Sequence, residues 1–224
     1  MITILTSGNR HEHEVKFDQM FRLRHRVLFE QMGWEEVYKP DGRDIDESDH
    51  AHTIYVVSTR AECDGVVGCV RLAASNLTTL SAKHFPNLFD RYGVPSDPEI
   101  YDVSRIVVAP ETKKLGRPNP VTIEIHIGWL ETACALGLKG VTAVVELWRF
   151  QRMVATGFKA TAMGLPVTMG DLEVIGVKVD FEDLSLESVR AFLGLKEPIV
   201  SAEGIIAART VHADVLKKHQ QRAA

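Results

Sequence analysis

The sequence predicts an α/β (α+β) protein: one mixed central β-sheet flanked by helices on both faces, with residues 1–224 forming a single domain. Three observations lead there. β-Rich stretches at 53–58 and 65–74 are joined by "TRAECD", a connection suited to antiparallel neighbours. From residue 100 onward, strand-like and helix-like patterns alternate, as β-α-β units require. A chain of 224 residues with 45% hydrophobic content fits one large core better than two small ones.

The elements follow in order. Phe17, Phe21, Arg24 and Leu28 recur at steps of four, three and four, placing them on one face of an opening helix, with Arg22 and Arg26 pointing elsewhere. The polar, turn-rich stretch "YKPDGRDIDESDHAH", residues 38–52, reads as a loop. A third strand is expected at 100–109, a helix at 121–138, a strand at 140–145 and a helix at 148–155 closed by Gly157. A strand at 172–179 and helices at 184–193 and 204–219 complete the series.

Composition narrows the function. Acidic and basic residues are interspersed with a net charge of −4, so nothing marks a nucleic-acid-binding surface. Cys63, Cys69 and Cys134 show neither CxxC nor Cys/His ligand spacing, which fits reduced thiols in the cytoplasm and no metal site. The N-terminal "MITILTSGNRHEHE" lacks the pattern of a leader, and no apolar run approaches the roughly 20 residues of a membrane span. A soluble, cytoplasmic protein is expected. The histidine pairs His11/His13 and His50/His52 read as surface residues.

Ionisable residues interrupt the apolar pattern in three places. An arginine cannot shed its charge and is costly to bury unpaired, so Arg24, on the apolar stripe, demands a carboxylate or a bound anion. A structural ion pair with the loop is one answer, since "DIDESD" supplies Asp44, Asp46, Glu47 and Asp49. That cluster lacks the order of a calcium loop. Strand alternation puts Arg71 on a face with Val67 and Cys69. It puts Asp102 and Ser104 with Ile100 and Ile106, leaving Arg105 opposite. Charges on several core strands point to a polar cleft. "KKLGRP", residues 113–118, precedes a helix start and reads as an ordinary basic turn or an anion cradle. Trp34, just past the opening helix, reads as core or as a ligand platform. No nucleophile elbow, P-loop or dinucleotide fingerprint is present.

In content, order and spacing, "FRLRHRVLFEQMGW", "DIDESD", "VVGCVRLAAS", "HFPNLF" and "YDVSRIVV" resemble the acyl-homoserine-lactone synthases, the LuxI-type autoinducer synthases. The resemblance is specific over residues 15 to about 110 and looser through "GVTAVVELWRFQRMVATGF". It implies a GNAT-like fold whose central strands splay to admit a pantetheine arm. It also implies S-adenosylmethionine as acyl acceptor and an acyl thioester as donor, both substrates, with no tightly bound cofactor. The family's charged set falls on Arg24, Asp46, Asp49, Arg71 and Arg105, and its tryptophan on Trp34. Two positions depart: Leu28 stands for a phenylalanine, with Phe29 next to it, and Asp102 for a glutamate.

The implied reaction assigns Asp102 as base, through a water, and a backbone amide near a bulge after Ser104 to the oxyanion. Arg24, Leu28, Trp34, Asp46, Asp49 and Arg71 would build the S-adenosylmethionine pocket. Lys113, Gly116 and Arg117 would hold the phosphates of acyl-CoA, favoured here over acyl carrier protein. Ala143, where 3-oxo-acyl enzymes often carry threonine, implies an unsubstituted, branched or aryl chain. Glu146 and Trp148 would limit chain length if they point inward. An N-acyltransferase acting on another amine, and a non-catalytic paralogue that binds S-adenosylmethionine or acyl-CoA, are the alternative readings.

Overall fold

A computed structural model describes residues 1–62, 65–112, 119–155, 159–182 and 184–223. Its strands are β1 (Ile2–Leu5), β2 (Ile54–Arg60), β3 (Gly65–Ala74), β4 (Ile100–Val108), β5 (Gly140–Glu146), β6 (Ala160–Ala162), β7 (Val167–Met169) and β8 (Leu172–Asp180). Its helices are α1 (Glu14–His25), α2 (Leu80–His84), α3 (Pro120–Ala135), α4 (Leu147–Ala155), α5 (Leu186–Phe192) and α6 (Ala202–Ala223). One sheet runs β1-β2-β3-β4-β5-β8-β6, with β7 paired to β8. Among the described residues, every pairing is antiparallel except β4 with β5.

Helices cover both faces, as expected. Tyr55 of β2 meets Phe17 and Phe21 of α1 edge-on, with ring centroids 5.8 and 6.0 Å apart. Burying each phenylalanine contributes about 1.5–3 kcal/mol. The next residue, Val56, points the other way, toward Gly128 of α3. Gly68 of β3 faces α3 as well: a Cβ there would lie 2.7 Å from Val121 Cγ1, so only glycine lets the helix approach this closely. Asn119 starts α3 by accepting a hydrogen bond from Val121 N, with Pro120 in the first turn. On the same face, α6 packs on β1 through Gly204 and Ile4, and His212 Nδ1 lies 3.0 Å from the Tyr101 hydroxyl of β4.

Two irregularities prepare the site. After His25, α1 passes directly into a π-helical turn over Arg26–Gln31 that keeps Val27 and Leu28 buried. Such turns concentrate where a helix is bent to serve a function. In β4, Cys69 pairs with Val107 while Arg71 pairs with Ser104, so β4 carries one extra residue: a bulge at Arg105 and Ile106. Arg105 there has φ +54°, a left-handed conformation that costs a non-glycine residue roughly 1–2 kcal/mol.

The parallel seam is short. β4 and β5 pair only where Ile100–Asp102 face Gly140–Thr142, and no pairing joins the rest of β4 to the rest of β5. This is the splayed centre that the GNAT-like expectation called for.

Candidate active site

Arg24, Arg71 and Arg105 come from α1, β3 and the bulge of β4, and the loop after α1 brings Asp44, Asp46 and Asp49 among them. Arg24 Nε donates to Asp44 Oδ2 (2.8 Å), while its Nη1 and Nη2 donate to the two oxygens of Asp49 (2.8 and 3.0 Å). Arg105 Nε donates to Asp44 Oδ2 (2.8 Å) and its Nη2 to Asp46 Oδ2 (2.9 Å). Arg71 Nη1 donates to Asp46 Oδ1 (2.6 Å) and lies 3.1 Å from Asp49 Oδ2. Each arginine therefore bridges two aspartates and each aspartate two arginines, closing a ring of alternating charge.

The ring is buried: the Arg24 and Arg71 side chains are 0% exposed and those of Asp44 and Asp49 at most 2%. Desolvating such charges costs several kcal/mol per ion, and closure offsets that cost by giving every ion two partners of opposite sign. Burial alone would pull the Arg24 guanidinium below its ordinary pKa, but Asp49 and Asp44 outweigh it and hold it above. Likewise, burial pushes the Asp44 and Asp49 carboxyls up, yet their arginine neighbours hold both below the usual 3.8. The Tyr55 hydroxyl adds a bond to Asp49 (2.9 Å).

This has a consequence for acid stability. A carboxyl with a lowered folded-state pKa contributes stability that is present above its unfolded value and lost as pH falls through its folded one. Melting temperature is therefore expected to drop steeply below about pH 4, and Asp44→Asn should blunt that slope. A melting temperature flat down to pH 2 would contradict the ring.

Beside the ring stands Asp102, 1% exposed. Its Oδ1 accepts hydrogen bonds from Ser81 Oγ of α2 and, at 3.3 Å, from Thr142 Oγ1 of β5. Burial raises its pKa. Ser104 accepts from Arg71 Nε at 3.1 Å, two register positions along from Ala73 and Asp102 and on the same face. Among the described residues, three buried polar atoms in this neighbourhood have no hydrogen-bond partner: Arg71 Nη2, Asp102 Oδ2 and Ser48 Oγ. Unpaired buried polar atoms are costly, and a cluster of them marks where a polar ligand docks.

The chain matches the family described as Autoinducer synthase over residues 9–189. It belongs to the autoinducer synthases. Among curated autoinducer synthases, the isovaleryl-homoserine lactone synthase of Bradyrhizobium diazoefficiens is 30% identical over 91% of this chain and 90% of its own. An acyl-homoserine-lactone synthase of Acinetobacter nosocomialis is 28% identical over 70% of this chain and 87% of its own. The solved CoA-dependent synthase BjaI, with S-adenosylmethionine and isopentyl-CoA, superposes with a TM-score of 0.80 at 28% identity, covering 94% of this chain and 99% of that one.

The structure of this autoinducer synthase corrects several placements. Arg105 was expected opposite Asp102 and Ser104; the bulge turns its side chain into the ring instead and leaves Ile106 41% exposed. Leu28 is buried, but Trp34 is 39% exposed and belongs to no core. The packing beyond the π-turn comes instead from Phe29 against Tyr38 and His25, with centroids 5.0 and 5.2 Å apart. Thr142 and Glu146 share one face of β5, whereas Ala143 packs with the main core on the other. Glu146 is ion-paired to Arg149, whose guanidinium lies 4.6 Å from the ring centroid of a half-exposed Trp148. Lys113, Gly116 and Arg117 lie outside the described residues.

Sequence reasoning missed three partners. Asp44 bridges Arg24 to Arg105, a role its place in "DIDESD" does not single out. Ser81 and Thr142 hold Asp102 from two other elements. Among the described residues no cluster of three or more His, Cys, Asp or Glu side chains suits a metal ion, and no helix is long and apolar enough to cross a membrane.

Proposed function

We propose that the chain, working as one domain in the cytoplasm, makes an acyl-homoserine lactone, a quorum-sensing signal, from S-adenosylmethionine and an acyl-CoA. The observation that carries this reading is the pair of unpartnered buried atoms on one face of the sheet, two register positions apart, Arg71 Nη2 and Asp102 Oδ2, beside strands that part. A cation and an acid there complement the carboxylate and amino group of one amino-acid substrate. The charge-balanced ring fixes Arg71 without adding a positive field against the sulfonium.

Asp102, acting through a water, takes a proton from the substrate amine. The amine nitrogen then bonds to the thioester carbonyl carbon, the carbon–sulfur bond breaks, and the nitrogen's next proton passes to the departing thiolate, which leaves as the CoA thiol. A backbone amide at the Arg105–Ile106 bulge, just after Ser104, serves the tetrahedral oxyanion. Next, the substrate's carboxylate oxygen attacks the γ-carbon, the bond to the sulfonium breaks, and 5′-methylthioadenosine departs. That step is intramolecular, so the enzyme's task is alignment. Arg24, Leu28, Asp46 and Asp49 shape the amino-acid end of the pocket, and Trp34 covers it from the solvent side. The gap between β4 and β5 receives the pantetheine arm, with Ala143 bordering the acyl chain from one face of β5, Glu146 and Trp148 from the other, and Lys113, Gly116 and Arg117 assigned to the phosphates. Similarity to BjaI and to the isovaleryl-homoserine lactone synthase supports a short branched acyl-CoA as donor.

The test is mass spectrometry of purified protein given S-adenosylmethionine and a panel of straight, branched and aryl acyl-CoAs and acyl carrier proteins. Acyl-homoserine lactone and methylthioadenosine should appear together with a branched acyl-CoA. Turnover with acyl carrier protein alone would overturn the donor assignment. Thioester consumption without methylthioadenosine would indicate another amine acceptor, and tight binding without turnover a sensor.

A further inference from the structure

Asp102 needs more than burial to act on an amine: one of its oxygens must be free and correctly presented. β4 fixes the backbone, but a carboxyl group turns about its own bond unless something holds it. Ser81 Oγ and Thr142 Oγ1 both donate to the same oxygen, Oδ1, and leave Oδ2 as the unpartnered one. Of the two, Thr142 is the longer contact at 3.3 Å. Ser81 is itself 1% exposed, and nothing in the ring or the sheet requires a hydroxyl there. Its helix, α2, is only five residues long, started by the Thr79 side chain, which accepts from Ala82 N. An alanine would suit such a site better unless the hydroxyl had a task.

We propose that Ser81 is a positioning residue: it locks the Asp102 carboxyl so that Oδ2 alone is presented to the substrate's amine. This rests on the reading of Asp102 as the base. The Ser81 hydroxyl also favours the ionised form, working against burial, which raises the pKa of Asp102. Arg71 of β3 faces Asp102 and lowers its pKa. Lys83 and His84 of α2 are turned outward to Glu47, and Lys178 of β8, beside Thr142, is bonded to Asp180.

The sign follows. A base works when deprotonated, so the rate rises with pH through its pKa. Ser81→Ala removes a donor to the carboxylate, raises that pKa and moves the acidic limb of the kcat profile to higher pH. A shift of about one unit gives roughly a tenfold loss on that limb and little at high pH. KM for S-adenosylmethionine should stay near wild type, and Ser81→Thr, which keeps the hydroxyl, should restore the limb. Ser81→Cys, similar in volume but a weak donor, should shift it as alanine does, and melting curves should show both variants folded. A loss equal at every pH, or a limb that does not move, would overturn the inference. Asp102→Asn separates the two readings. If it stays active, the assignment of the base has failed; if it is inactive while the Ser81→Ala limb is unmoved, only the role of Ser81 has.

Discussion

Arg24→Ala is expected to abolish lactone synthesis and at the same time to lower folding stability by about 3–5 kcal/mol, the range for breaking a buried ion pair by removing one partner. The arginine is fully buried and makes three charge-assisted bonds, to Asp44 and to both oxygens of Asp49. Alanine would leave both carboxylates buried with one cationic partner fewer and the ring with a net negative charge. For a domain whose whole stability is on the order of 5–15 kcal/mol, that is a large fraction. The sequence alone left a bound anion open as the partner of Arg24. With both of its partners internal, the structural role comes first. Arg24→Lys should recover part of the stability and little of the activity, since an ammonium cannot bridge two carboxylates in one plane. Denaturant titration together with the lactone assay decides the matter. A folded Arg24→Ala protein with the wild-type midpoint would mean that the ring does not hold the loop.

Which parts of this were legible follows from how each side chain gets its direction. Arg24 was readable because helical periodicity sets its face independently of tertiary structure, and an arginine on an apolar face announces a buried acid. Which acid was not readable: Asp44, Asp46 and Asp49 sit on an irregular loop, and only the folded path sends them to different arginines. Strand alternation placed Arg71 correctly and Arg105 wrongly for one reason. The rule holds for a regular ladder, and one extra residue in β4 reverses it. The long strands and helices appeared at nearly their observed positions, whereas β1, α2, β6 and β7, three to five residues each, are too short for a periodic signal. Ser81 lies on one of these, so no pattern could tie it to Asp102. Trp34 follows the π-turn, where the residues-per-turn count changes and extrapolating a helix face fails.

Asp102→Asn should behave in the opposite way to Arg24→Ala. A general base contributes about 10²–10⁴ in rate, so kcat should fall by that amount, the acidic limb of the pH profile should vanish, and KM for S-adenosylmethionine should change little. Stability should not fall. The asparagine oxygen can still accept from Ser81 and Thr142, the volume is nearly unchanged, and a group whose charged form is penalised by burial is replaced by one that carries no charge. Asp102 thus has the character of a residue kept at a thermodynamic disadvantage, one oxygen anchored and the other unpaired, whereas the ring arginines hold the fold as well as the pocket. Measured side by side, one variant should lose turnover and stability together and the other turnover alone. If Asp102→Asn retains wild-type kcat and its acidic limb, the proton is taken elsewhere. If it instead melts well below wild type, the buried carboxylate is a structural partner rather than a base.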